Sequence, residues 1–315
     1  MVSRPPVGLP GNGGTKVANV KLLATMPEVP RIPPPIYTLL RPNAGEERLL
    51  NLARTFGLKA HEEAGSIHRS ASKFTYTEAN FDVEMYRASG YLTFKNRAHW
   101  QVDRGAAAEL SDEDAATRAS ELLRSSRLLP ERWRVQKVSR LAVASAGPDR
   151  AVQDRRVIDV GVHVQPLLHE IPVDGPGGRV NVYLDHQREV TCIEYCIRSI
   201  NAVYRVVDAL RSPADALEEA DRAWSARRVH EVEVREVRLC YFELGPNVAQ
   251  IYLEPAYMIL ATLVGRDSRI RTGDIFVTPA AVNTAGSLTG LTPPRPPVRS
   301  PRGQSLSDAE QRVQA

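Results

Sequence analysis

From Leu168 to Ile200 the chain reads LHEIPVDGPGGRVNVYLDHQREVTCIEYCIRSI, and apolar and polar residues alternate along it in two blocks. Val180, Val182 and Leu184 alternate with Arg179, Asn181 and Tyr183, the period of two expected of a half-buried strand. Asp185 to Arg188 is polar and fits a turn. Val190 to Ile200 resumes as a strand, with Ile193, Tyr195 and Ile197 on one face. The pattern predicts a β-hairpin in the middle of the protein. Gly175-Pro176-Gly177-Gly178 sets its entry as a structural turn, since glycine supplies positive φ and proline fixes its own. A phosphate-binding loop is the rival reading of these four residues. It fails because no GKS or GKT ending follows, and because a strand rather than a helix comes next.

The rest of the chain predicts three helices. Asn43 to Gly57 has Leu49, Leu50, Leu52, Ala53 and Phe56 on one face, with Asn43 and Glu46 spaced as a capping box and Gly57 as the C-terminal stop. Ser111 to Arg124 starts with a capping serine and three acidic residues at the positive end of the helix. Ser212 to Trp224 has Ser212 as cap and Pro213 in the first turn. Each helix leads into a run of strands. Among them are Trp133 to Val143, Val157 to Val164, Val232 to Phe242 and Ala249 to Ile259, with short strands and a Ser89-Gly90 turn after the first helix. The spacing Val135/Val138, repeated as Val234/Val237, shifts the alternation by one residue, as a β-bulge does.

These patterns predict an α+β fold of two to three repeated modules, each a helix packed on an antiparallel β-sheet. The expected division is a disordered Pro/Gly-rich arm over 1–37, modules over 38–105, 106–205 and 206–285, and a disordered Pro/Arg-rich tail over 286–315. The second module carries the central hairpin.

Composition narrows the function. Hydrophobic residues make up 43% of the 315, enough for sizeable cores. The net charge of +4 is mild and both signs are mixed along the chain, without the basic stripe of a nucleic-acid binder, so nucleic acid is not an expected partner. No apolar run approaches a transmembrane span; the longest, Ala256 to Val264, reads as a buried strand. The N-terminus lacks an apolar leader, so the chain as written is expected to be soluble.

The candidate chemistry centres on the hairpin. His163, His169, Glu170 and His186 lie near it in sequence, with Cys192 and Cys196 within it and Cys240 further on. Their spacings match no zinc pattern, neither CxxC nor HExxH. His163 alternates out of phase with Val160, Val162 and Val164 and is expected to face solvent. Cys192 and Cys196, four apart on a strand, are too distant to bond each other; either could pair with Cys240, or all three could be small buried hydrophobes. No GxSxG accompanies a histidine, and Glu243 and Glu254 read as solvated acids on strand faces. No catalytic residue, metal ligand or cofactor is expected.

IPVDGPGGRVNVYLDHQREVTCIEYCIRSI, with the preceding SDEDAATRASELLRSSRLLP and the later Leu253-Glu254-Pro255-Ala256-Tyr257, resembles segments of PepSY-like and YycH/YycI-like bacterial proteins. The resemblance covers about residues 40–280. It implies cystatin-like modules, outside the cytoplasmic membrane, that regulate or inhibit a protein partner. The turn Gln187-Arg188-Glu189 departs from that pattern, which tends to have a glycine there. The expected function is therefore non-enzymatic protein binding. The alternatives are a small-ligand or metal-binding protein, or an enzyme, using the His/Cys group, and an assembly component tethered by its Pro-rich arms.

Overall fold

The structure is a computed structural model that describes residues 19–61, 63–99, 109–146, 152–227, 229–265, 270–286 and 288. In chain order its elements are β1 (Asn19–Leu22), β2 (Ile36–Leu39), α1 (Glu46–Thr55), β3 (Ser66–Arg69), β4 (Lys73–Glu78), β5 (Phe81–Tyr86) and β6 (Leu92–Asn96). Then come α2 (Asp112–Ser125), β7 (Trp133–Ala146), β8 (Val152–Leu168), β9 (Ile171–Asp174), β10 (Arg179–Leu184), β11 (Val190–Cys196) and β12 (Ile200–Arg205). The last are α3 (Pro213–Ala226), β13 (Glu231–Phe242), β14 (Tyr252–Leu253), β15 (Pro255–Val264) and β16 (Arg271–Pro279).

The chain does not build two to three repeated α+β modules. Among the described residues it is mostly β, 46% strand and 16% helix, with three helices and one large mixed sheet of 13 strands. That sheet runs β16-β15-β13-β9-β8-β10-β11-β6-β5-β4-β3, with β1 added on β13 and β7 on β8. Short β9 joins its two parts, pairing antiparallel with β8 and parallel with β13. Alternation along a strand reports which face is buried, not which strand lies beside it, so the merger has no local signature. A separate small sheet has the order β12-β2-β14.

The apolar face of the central strands builds the main core. Val160, Val162 and Val164 of β8, Val180, Val182 and Leu184 of β10, and Ile193 of β11 pack with Leu49 and Ala53 of α1 and Ala115, Ala119 and Leu123 of α2. Truncating one of these buried leucines costs about 2–5 kcal/mol. The hairpin forms with Val182 opposite Ile193, but its second strand stops at Cys196 instead of running on to Ile200, which starts β12 in the small sheet. A second core lies under α3, where Trp224, Ala216 and Ala220 meet Val232, Val234, Tyr257 and Ile259.

Helix starts follow local chemistry. Ser111 Oγ accepts from Asp114 N at 3.0 Å, and Ser212 with Asp215 makes a reciprocal capping box. The box expected at Asn43 and Glu46 does not form; α1 begins after Gly45 without a side-chain cap. Both expected bulges are present, between Val135 and Lys137 on β7 and between Val234 and Glu236 on β13.

The arm expected to be disordered over 1–37 is structured from Asn19 on. β1 pairs in parallel with β13, and Ile36, at 0% exposure, starts β2. Residues 1–18 lie outside the described residues. In the expected tail, Leu288 is buried, and residues 289–315 lie outside the described residues.

Candidate functional site

The Gly175–Gly178 turn leads from β9 into β10 and rests on a buried polar node. Gly175 and Gly178 have φ of +115° and +68°, conformations that favour glycine. A Cβ on Gly177 would sit 1.7 Å from Tyr91 Oη and 2.8 Å from the Leu244 carbonyl, so only glycine allows this approach. Tyr91 is placed by the β5–β6 hairpin, whose turn closes through Ser89 Oγ accepting from Tyr91 N at 3.1 Å.

The node contains Tyr91, Arg198 and Glu243. Arg198 Nη1 donates to Tyr91 Oη and to the Leu244 carbonyl, both at 2.8 Å, and lies 3.2 Å from Glu243 Oε1. Its Nη2 donates to the carbonyls of Gly245 (3.1 Å) and Val248 (2.7 Å). The Arg198 backbone N–H also donates to Glu243 Oε1 at 2.8 Å, and the Tyr91 hydroxyl lies 2.9 Å from the same oxygen. The side chains of Arg198 and Glu243 are 2% and 1% exposed. Removing two such charges from water costs several kcal/mol per ion, which only dense hydrogen bonding offsets. The guanidinium is nearly saturated; Arg198 Nε alone lacks a partner. Burial pushes the Glu243 carboxyl up to about 7, against the pull of Arg198 and the Tyr91 hydroxyl. Burial likewise raises the Tyr91 phenol, and the Glu243 charge adds to it.

Against this node lies a cavity of about 530 Å³ between the large and small sheets. Leu168, Val173, Ile197, Ile200 and Leu253 give it apolar walls, Glu131, Arg132 and His169 charge and polarity, and Arg198 and Glu243 belong to its lining. The size and the mixed lining, apolar walls with charged and polar groups between them, suit a small ligand or an inserted side chain. Ser199 and Ile200 line the cavity, and Ile200 is the first residue of β12.

The residues singled out in sequence fall in separate places. His169 is at the β8–β9 turn with φ of +50°, its Nε2 2.6 Å from the Tyr37 hydroxyl, and it lines the cavity. His163 is on the face opposite the valines, as alternation required, but is half-buried in a polar pocket rather than open to solvent. His186 is exposed in the β10–β11 turn, and Glu170 pairs with Arg132. Cys192, Cys196 and Cys240 are free thiols. Burial pushes Cys192 and Cys196 up to about 12 and raises Cys240 as well, so all three are protonated at neutral pH. Among the described residues no three His, Cys, Asp or Glu side chains gather to hold a metal ion. No described helix is long and apolar enough to cross a membrane.

Glu243 and Glu254 are not solvated acids. Both are buried, and they have separate partners: Glu254 accepts from Thr284 Oγ1 (2.6 Å) and Ala285 N (2.9 Å). The node itself was missed in sequence. Its signal is a single charge inside an apolar run, Arg198 within CIRSI and Glu243 within CYFEL. Such a charge is buried only when a partner waits for it.

The chain matches no known protein family and no curated protein in sequence. An uncharacterised protein of Eubacterium rectale, known from a crystal structure, is similar in fold with a TM-score of 0.51. It is 9% identical, and the match covers 79% of this chain and 84% of that one. At that identity the likeness concerns the fold alone.

Proposed function

We propose that this chain is a non-enzymatic binding protein that takes an extended segment of a protein partner along β12. One apolar side chain of that segment seats in the adjoining cavity. The carrying observation is the state of β12. It is the outer strand of its sheet, paired only with β2 among the described residues. Val203 and Tyr204, within it, are 54% and 49% exposed, and Val206 just beyond is 69% exposed. Leu40 and Ile251, from the segments beside β2 and β14, are exposed as well. Edge strands are commonly guarded by proline, lysine or a covering element. The sequence of β12, INAVYR, has no proline or lysine; its guards are Arg205 at the end and register shifts against β2 between Ile200 and Ala202 and between Val203 and Arg205. Strand addition supplies main-chain hydrogen bonds, and a neighbouring pocket supplies selectivity. The protonated thiols weigh against the enzyme alternative that uses cysteine. A regulatory or inhibitory role, as the PepSY-like and YycH/YycI-like resemblance implies, belongs to the same proposal.

Selection of displayed random peptides on the purified chain tests it. The expected result is enrichment of extended peptides with alternating apolar residues. Val203→Asp with Tyr204→Asp should weaken their binding at least tenfold, and Ser199→Trp, which fills the cavity mouth, should change the preferred anchor residue. Peptides that bind the double variant as tightly as the parent chain, with unchanged circular dichroism, would overturn the proposal.

A further inference from the structure

The other face of the central sheet carries no helix among the described elements, and its side chains are polar in ordered rows. One row runs Lys137–His163–Asn181–Glu194 across β7, β8, β10 and β11. Arg179 lies two residues before Asn181 and therefore on the same face. Together with Gln136, Gln165, Tyr183 and the Asp174–Arg238 pair these residues line a pocket of about 390 Å³.

The floor of this pocket is preorganised. Asn181 Nδ2 donates to Glu194 Oε2 at 2.7 Å, which turns Asn181 Oδ1 towards His163 Nδ1 at 2.8 Å. His163 Nδ1 therefore carries the proton, and Nε2 accepts from Ser139 Oγ at 2.8 Å. Burial holds His163 below the usual imidazole value against the Asn181 bond, and the charges of Lys137 and Arg179 lower it further. Gln165, 3% exposed, accepts from Arg134 and donates to Asp174 at 3.2 Å. Gly161 lets Ser139 and Tyr183 close over the strand: a Cβ there would lie 2.8 Å from Ser139 Oγ and 2.9 Å from Tyr183. Apolar side chains would have filled these positions at no cost in unpaired polar groups.

The charges are divided unevenly. Asp174 is neutralised by Arg238 at 2.9 Å. Lys137 and Arg179 have no ion-pair partner among the described residues, and both act on His163. Glu194 lies about 14 Å from the Lys137 strand at the usual strand spacing, but on the strand beside the one that carries Arg179. We propose that this pocket is a second binding site, independent of β12, for a small phosphorylated polyol. Lys137 and Arg179 take the dianionic phosphate, and Tyr183, Gln136 and Glu194 take the hydroxyl groups. Lys137 and Arg179 stand two strands, about 10 Å, apart across the sheet, a span their long side chains close around a dianion rather than a single carboxylate, and Glu194 offers an acceptor for hydroxyls.

Calorimetric titration of the full chain with glucose 6-phosphate, glucuronate, glucose and inorganic phosphate tests this. Glucose 6-phosphate should bind with a Kd below about 1 mM, some 4 kcal/mol in free energy, and at least tenfold more tightly than glucuronate or glucose. Lys137→Ala and Arg179→Ala, both at exposed positions, should each weaken it severalfold. The His163 and Tyr183 proton resonances should shift on binding. No saturable heat up to 10-fold above that concentration, equal binding of glucuronate, or binding indifferent to both substitutions would each overturn the proposal.

Discussion

Glu243 and Glu254 sit on neighbouring segments of the same sheet region, both buried, and they are held in opposite ways. Glu254 is bound by neutral donors, the hydroxyl of Thr284 and the backbone of Ala285 and Leu288, and so fastens the turn after β16 to the core. Glu243 is bound by a guanidinium, a phenol and one backbone N–H, and it borders a cavity. Neutral backbone donors suffice where a carboxylate has only to organise a turn. A cation is recruited where three segments distant in sequence must be fixed at the edge of an open space. The first arrangement is stapling; the second keeps the cavity wall rigid while leaving its mouth free.

The largest effect should come from breaking the charge pair. Arg198→Met leaves Glu243 buried without its cation and should cost about 3–5 kcal/mol in urea unfolding. Glu254→Gln, which keeps an acceptor but adds a donor facing N–H groups, should cost about 1–3 kcal/mol. An equal cost for both would erase the distinction between them. Gly177→Ala forces a methyl group onto Tyr91 and the Leu244 carbonyl and should cost about 1–3 kcal/mol, with loss of the Tyr91 contact visible in the near-ultraviolet dichroism.

A smaller effect sharpens the comparison through pH. The folded carboxyl of Glu243 titrates near 7, above its unfolded value of 4.5. Between those values the native state therefore holds more protons than the unfolded chain. Stability falls as pH rises from about 4.5 to about 7, then levels off. The contribution is of the order of 3 kcal/mol, from a rise of 4.5 to about 7. In Glu243→Gln that part of the slope should vanish, and the difference in urea midpoints between parent and variant, followed across this range, checks it. A slope unchanged by the substitution would mean that another group carries it.

Much of the local structure was legible in the residues. Alternation at Val180–Leu184 placed the central hairpin, Ser111 and Ser212 placed two helix starts, and the Val-x-x-Val spacings placed two bulges. Each of these is decided within a few residues of the chain. The union of strands into one sheet was not legible, because it turns on β9, four residues whose two neighbours are far apart in sequence. Asn43 misled for the same reason in miniature: its spacing to Glu46 fits a cap, but the helix begins where Leu49 and Ala53 meet the sheet. Of the candidate site, His169 and the glycine turn were in view. Arg198 and Glu243 were not joined, since nothing local says that two charges in separate apolar runs will meet.

Hydrogen exchange of the backbone amides, with and without a selected apolar peptide, tests the binding account most directly. Strand addition predicts new protection within Ile200–Arg205, alternating along β12, and slower exchange at Arg198, with the β10–β11 turn unchanged. Protection that appears elsewhere while the β12 amides exchange as freely as before would contradict it.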